Sequence, residues 1–547
     1  MKISFLGAAR TVTGSCYVVD CELARFAIDC GLHQGNRAIE LRNWDENNIY
    51  LPESLDFILL THAHIDHSGL LPRFVAQGFG GPVYATAPTK DLLGIMLEDS
   101  ARIQETEAKW RSTKKLRAGD PPVEPLYTVE EAQQALAQLQ IQEYNQTFEP
   151  KPGIRVVYRD AGHILGSAFI EVWIKESDQE QKLVFSGDLG RPNQLLVPNP
   201  QTVETADFLF LESTYGGRNH KNETQSRDEL AQAVDYSYRR GEKVIIPAFA
   251  VERTQELLYS FYLLRQEGRL PADMPVYVDS PLAIKATEIF RRHWDYYDHK
   301  TKELVKQGEN PLDLPNLRFT LTTDESRAIN TSSKPAVVIA GSGMANAGRI
   351  KHHLRHNIWK PGASIVFVGF QAVGTPGRRI VEGARSVRLL GDELSVKARI
   401  FTIGGFSGHA GQTQILDWLS HFRNPNLQVY LVHGEHSGQK VLAELIREKF
   451  DLTVHIPDYL DEYLLEKDGR FELTVRPTLA APRIDWEYLL EETSTKLTQV
   501  QDRVSYLKQM GQTNQVEIRG DILDINAKFT SILSELLFEQ KQHNHQE

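Results

Sequence analysis

Directly after the apolar run Phe57-Ile58-Leu59-Leu60 the chain reads Thr61-His62-Ala63-His64-Ile65-Asp66-His67-Ser68-Gly69. Four metal-ligating side chains fall within six residues. In an extended or tightly turned segment at a strand's end, His62 and His64 point to one side, while Asp66 and His67 turn toward a second position beside it. Imidazole suits zinc, and a carboxylate adds a hard oxygen ligand that favours a site binding and activating water. A lone loop histidine is ordinarily solvated or hydrogen-bonded. Three histidines and an aspartate at this spacing read instead as metal ligands. Gly69 is expected to let the chain turn into the helix that follows.

Two further candidate ligands stand at strand ends, His163 in Asp160-Ala161-Gly162-His163-Ile164-Leu165-Gly166-Ser167 and Asp188 in Phe185-Ser186-Gly187-Asp188-Leu189-Gly190. Both are flanked by glycines, which permit the close backbone approach and unusual dihedrals of a metal rim built from several loops. Alone, each reads as an ordinary turn residue. Their order after the first cluster makes them candidates.

This arrangement resembles the metallo-β-lactamase fold, whose H-x-H-x-D-H cluster, downstream His and downstream Asp match His62 to His67, His163 and Asp188. Asp29, in Ile28-Asp29-Cys30-Gly31, matches the acidic residue on an early strand behind the metals. The resemblance implies two Zn(2+) ions, one held by His62, His64 and His163, the other by Asp66, His67 and one more histidine, with Asp188 bridging and a hydroxide shared between them. The fold alone does not give the substrate, since lactamases, thiolesterases, diiron proteins and nucleases all use it.

Further segments narrow the choice. Leu211-Glu212-Ser213-Thr214-Tyr215-Gly216, Ile339 to Met344, Gly369-Phe370-Gln371-Ala372, Phe406-Ser407-Gly408-His409-Ala410 and Val432-His433-Gly434-Glu435 are similar to motifs of the β-CASP nucleases. By that resemblance His433 supplies the remaining ligand of the second metal, Glu212 orients His409, and His409 acts near the leaving oxygen. A histidine at position 433 resembles the RNA-processing branch, whereas DNA-acting members carry valine there. Gly341 departs from the serine common in the family, and a backbone phosphate contact is expected to replace the missing hydroxyl.

The implied reaction is hydrolysis of phosphodiester bonds in single-stranded RNA, leaving 5′-phosphate and 3′-hydroxyl ends. Asp66, His409, Glu212 and Asp29 are the expected catalytic set, with protonated His409 donating to the leaving group and Asp29 orienting ligands from behind. From Met344 to Ile400 ten Lys and Arg residues face only Glu382, Asp392 and Glu393. This local excess predicts a channel for the strand, with Ser342, Arg349, Arg378 and Arg379 as RNA contacts. Competing readings are a hydrolase of small esters or thioesters, a DNA-acting nuclease, a non-catalytic scaffold, and an iron redox protein. The first has no need of an insertion of roughly 190 residues. The last two find neither a replaced ligand nor a flavin or iron–sulfur segment.

The elements that must position these residues are legible in outline. Short β-branched and aromatic runs at Lys2 to Leu6, Cys16 to Asp20, Ala24 to Asp29 and Asp56 to Leu60 predict strands, with helices over Leu70 to Gln77, Lys90 to about Trp110 and Val129 to about Gln140. After Tyr215, strict alternation of helix and strand predicts crossover connections and a parallel sheet. The expected fold class is α/β: a metallo-β-lactamase αββα sandwich in residues 1–212 and 401–475, an inserted β-CASP domain in 213–400, and a helical extension in 476–547. In that extension Leu490, Leu497 and Val504, with Val500 and Leu507 between them, form a short heptad-like seam, and Ile532, Leu533, Leu536 and Leu537 repeat it. A helical appendage packed on its own chain and a dimerisation or partner-docking element both fit. The 547 residues carry a formal net charge of −11, so any nucleic acid must be held locally. No apolar run approaches the roughly 20 residues that span a bilayer, and Met1 leads directly into an apparent strand, so a cytoplasmic protein without membrane contact is expected. The three cysteines, Cys16, Cys21 and Cys30, read as buried free thiols.

Overall fold

The computed structural model describes residues 1–35, 37–44, 48–116, 122–176, 179–219, 223–369, 371, 375–465, 471–474 and 486–507, with 518, 522, 525, 526 and 529. Two β-sheets pack face to face in the unit Met1–Ala480. The first has eight strands in the order Phe471–Thr474, Glu462–Leu465, Lys2–Phe5, Tyr17–Asp20, Arg25–Ile28, Phe57–Leu59, Val83–Ala85 and Leu139–Ile141. The second has seven, in the order Thr453–His455, Gln428–Val432, Phe208–Glu212, Gln179–Phe185, Ala168–Glu176, Ile154–Asp160 and Thr147–Lys151.

Between the sheets lies an aromatic interior. Phe185 stacks on Phe210 with ring centroids 4.4 Å apart, Phe210 on Tyr430 at 5.2 Å, and Phe26 on Phe57 at 4.7 Å. Burying each such ring contributes about 1.5–3 kcal/mol, so the period-two inward residues of these strands are what fix their register. Helices cover the outer faces. Gln412–Leu419 and His436–Phe450 press Ile415, Trp418, Leu442 and Ile446 onto Leu209, Leu211, Val429 and Leu431 of the second sheet. Leu71–Ala76 lays Leu71 and Phe74 against the first sheet. Val129–Ala137 starts at a reciprocal Thr128–Glu131 capping box, which satisfies two otherwise orphaned amides.

A third sheet of six parallel strands runs Leu317–Phe319, Val276–Val278, Val337–Ala340, Val244–Pro247, Ser364–Phe367 and Arg399–Thr402. Its central strands are apolar and buried throughout because helices cover both faces. Arg399–Thr402, which the expected boundary at residue 400 divides, is an edge strand of this sheet. The chain therefore has the α/β architecture of a metallo-β-lactamase sandwich carrying an inserted parallel-sheet layer.

The helix expected to reach about Gln140 ends at Ala137, and Leu139–Ile141 becomes an edge strand instead. Pairing of Val83–Ala85 with Leu139–Ile141 outweighs the helical periodicity there. Cys16 and Cys30 are buried and Cys21 is half-buried, all as free thiols.

In the separate unit Ala481–Glu547, helices Trp486–Gln501 and Val504–Leu507 carry the heptad-like residues. Leu490, Leu497, Val500 and Val504 are all exposed. Ile532, Leu533, Leu536 and Leu537 lie outside the described residues. Among the described residues no helix is long and apolar enough to cross a membrane.

Candidate metal centre

The strand Phe57–Leu59 delivers Thr61 and His62 to the rim of the sandwich, and the chain then makes one helical turn, Ile65–Ser68, with His64 as its N-cap. That turn separates the ligands into two groups. Gly69 has ordinary helical dihedrals, so its freedom is not what the turn uses. A Cβ there would stand 2.5 Å from the Ile65 carbonyl oxygen, and close approach is the reason for glycine.

Donor atoms of His62, His64, His163 and Asp188 lie within 4.8 Å of one another, and those of Asp66, His67 and His433 form a second group of the same span. Asp188 stands between them. Its Oδ2 is 3.5 Å from both His62 Nε2 and His163 Nε2, and its Oδ1 is 3.2 Å from His67 Nε2 and 3.4 Å from His433 Nδ1. The structure thus brings together all seven residues singled out as ligands.

These residues fit a pair of metal ions on two grounds. Ligand atoms around a tetrahedral zinc, each ~2.0–2.1 Å from it, lie about 3.3 Å apart, and His64 Nδ1 is 3.0 Å from His62 Nε2 and 3.3 Å from His163 Nε2. Asp188 Oδ1 is also buried, with imidazole nitrogens of His67 and His433 as near neighbours, a setting in which a carboxylate calls for a shared cation. Burial pushes His62 and His163 well below the usual imidazole range and His64 down to about 4, keeping them neutral with lone pairs free. Burial opposes a charge on His67 too, yet Asp188 and Asp29 outweigh it and hold that imidazole well above its usual range.

Behind the ligands is an orienting layer. Asp29 Oδ2 accepts from His67 Nδ1 at 2.8 Å and from Thr61 Oγ1 at 2.8 Å, while its Oδ1 accepts from the Thr61 amide. Asp29 has φ +60, held by this bonding. Thr214 Oγ1 lies 3.0 Å from His433 Nδ1, which turns Nε2 toward Asp66 at 3.5 Å. Thr61 and Thr214 were not singled out from sequence, although both sit inside motifs that were.

A third group, Glu212 and His409, adjoins Asp188. Glu212 is wholly buried; its Oε1 accepts from the Leu189 amide at 2.9 Å and faces His409 Nδ1 at 3.2 Å. Burial alone would depress His409, but Glu212 and then Asp188 raise it to about 10. Its loop is stitched to those of His163 and Asp188. Gly190 N donates to Ala161 O, Ala410 N to Leu189 O, Arg191 Nε to Ser407 O at 2.8 Å, and Gln194 Nε2 to the carbonyls of Gly162 and Gly408. Nothing in the sequence marks Arg191 or Gln194.

The centre forms one side of a cleft of about 930 Å³ whose other side is the carboxyl ends of the third sheet, at Pro247 to Arg253, Gly343, Met344, Val368 and Gly369. Crevices at the carboxyl ends of parallel strands are the usual ligand positions of such sheets. Of the four expected RNA contacts, Arg378 lines this cleft. Arg349 is drawn away to Asp279 Oδ1 at 2.6 Å and the carbonyls of Thr320 and Leu321; Ser342 Oγ donates to Asn346; and Arg379 is exposed outside the cleft lining. Arg355 and Lys360 pair with Asp392 and Glu242. With Arg378 paired to Glu382, four of the ten basic residues of this run are held by acidic partners within their own domain.

The sequence matches three family models: a metallo-beta-lactamase superfamily domain over residues 18–189, a Beta-Casp domain over 254–380 and a Zn-dependent metallo-hydrolase RNA specificity domain over 393–457. It is 37% identical to Ribonuclease TTHA0252 of Thermus thermophilus over 82% of this chain and 96% of that one. It is also similar to Transcription termination factor FttA of Methanocaldococcus jannaschii (30% identity, 84% and 71% of the two chains) and of Pyrococcus abyssi (31%, 84% and 71%). With a sandwich, an inserted parallel sheet and a ligand set in family order, the chain belongs to the β-CASP family of the metallo-β-lactamase superfamily.

Proposed function

We propose that the protein is a zinc-dependent ribonuclease that hydrolyses phosphodiester bonds of single-stranded RNA and leaves 5′-phosphate and 3′-hydroxyl ends. The observation carrying this reading is the placement of Asp188 against two donor groups and the His409–Glu212 pair, with Asp188 and His409 lining one cleft. The relative spanned almost end to end is named a ribonuclease, and the third matching model is named for RNA specificity.

His62, His64, His163 and Asp188 would hold one ion and Asp66, His67, His433 and Asp188 the other. When bound, two such ions lower the pKa of water and neutralise charge on the phosphate. The chain's own residues do the rest. Water adds across the P–O3′ bond: its oxygen bonds phosphorus as the P–O3′ bond breaks, the departing 3′ oxygen takes a proton from His409 Nε2, and the proton the water gives up returns His409 to its protonated form. Glu212 fixes His409 through Nδ1, so that Nε2 is the atom presented to the cleft. Asp29 and Thr61 lock the rotamers of His67 and His62, and Asp66, partly exposed in the cleft, borders the reacting phosphate.

The decisive experiment is cleavage of a 5′-labelled single-stranded RNA by zinc-loaded protein, beside His64→Ala and a DNA of matched sequence. Products from RNA that disappear with His64→Ala support the reading, and their lengths separate internal cuts from terminal trimming. Absence of cleavage with two ions demonstrably bound would overturn it.

A further inference from the structure

Phe249 is an aromatic side chain left half in the open, at 50% exposure, in the wall of the cleft. It stands just beyond the carboxyl end of the strand Val244–Pro247, and its position is fixed from behind: the Ala248 amide donates to Ala340 O, and Thr254 Oγ1 donates to the Phe249 carbonyl at 2.7 Å. The ring rests against bare backbone. A Cβ on Gly343 would stand 3.1 Å from Phe249 Cδ2 and Cε2, so glycine there lets the ring lie close. Ala248, Val251, Leu282 and Met344 make the neighbouring wall apolar.

The charges around it are already engaged. Among the described residues three arginines line the cleft: Arg253 pairs with Glu256, Arg378 with Glu382, and Arg218 lies over the Tyr215 ring at 4.9 Å. Away from the metal centre, a wall with few uncommitted cations among its described residues and a fixed aromatic surface favours the flat faces of a ligand. Nucleobases offer such faces whatever their sequence.

We propose that Phe249 is a stacking platform for one nucleobase of the strand lying in the cleft. The inference rests on the ribonuclease reading above and adds to it a base subsite. It makes the strand's grip depend on a base being present at one position rather than on which base it is.

The test is a cycle between protein and RNA, using the zinc-loaded full chain. kcat/KM is measured on single-stranded RNAs that each lack one base, with wild type, Phe249→Leu, Phe249→Ala and Phe249→Trp. Phe249→Ala and Phe249→Leu should lose about 5- to 150-fold on intact RNA, with Phe249→Trp largely retained. At one abasic position wild type should lose a similar factor, and there the Phe249→Ala loss should shrink to within about twofold. Phe249→Leu keeps apolar bulk, so equal activity of wild type and Phe249→Leu would overturn the proposal. So would abasic losses that are the same in wild type and Phe249→Ala at every position. Cleavage by wild type without any coupled position removes the stacking site alone, whereas no cleavage of any RNA by wild type removes the ribonuclease reading and this proposal together.

Discussion

His409 Nδ1 lies 3.2 Å from Glu212 Oε1, across 197 residues of chain, and the carboxylate it faces is wholly buried. A buried carboxylate beside an imidazole orients the ring and favours its protonated form. Glu212 also receives the amides of Leu189 and Thr214, so its position does not depend on the histidine.

From this follows the first expectation. His409→Ala should retain its metal content and lose about 10²- to 10⁴-fold in turnover, the usual worth of a positioned proton donor. Metal analysis beside kcat on RNA checks it. Loss of metal and turnover together would place His409 among the structural supports of the centre.

Asp29→Asn keeps the shape of the side chain but removes the negative charge facing His67 Nδ1. Orienting carboxylates behind metal-binding histidines are worth about 10- to 100-fold in metal affinity. Chelator competition should therefore show one of the two ions weakened by that factor and the other little changed.

Salt provides a third check. Each phosphate neutralised on a single strand contributes about −0.7 to the slope of log affinity against log salt. If only Arg218, Arg253 and Arg378 reach the strand, the slope should be about −2 or shallower. Titration of a fluorescent RNA at several salt concentrations measures it, and a slope near −6 would show a basic path beyond the cleft.

His455 gives a pH dependence remote from the centre. It is buried, stacked on Tyr430 at 4.6 Å, and burial pushes it down to about 4. The unfolded chain binds a proton there near pH 6.5 and the folded chain does not. Above that pH the group is neutral in both states and makes no difference; between pH 6.5 and 4 it should cost about 1.4 kcal/mol of stability per pH unit of acidification. Denaturant unfolding of wild type and His455→Phe across this range should show the variant losing less stability as pH falls.

The candidate ligands in residues 62–67 were legible because chemistry and spacing coincide locally: four donors leave one strand end, and a single helical turn separates them into two groups. His163, Asp188 and His433 were legible through glycine-flanked strand ends and family order, although His433 meets His67 across 366 residues. The alternation of apolar runs determined the inserted parallel sheet, since strands buried on both faces must be continuously hydrophobic. Short strands such as Val83–Ala85 and the edge strand Leu139–Ile141 were not legible, because three residues carry too little pattern and owe their form to backbone pairing.

Charge was the poorest guide. Ten basic residues between Met344 and Ile400 suggested a channel, yet Arg349 answers Asp279, Arg355 answers Asp392 and Lys360 answers Glu242. Sequence alone determined which residue types could do the chemistry and in what order the elements bearing them follow. Only the tertiary structure decided which donors converge on Asp188, which arginines are consumed by internal partners, and that Arg191 and Gln194 hold the His409 loop. Such contacts arise where loops from distant strands are pressed together at one sheet edge, and their partners share no local pattern from which they can be read.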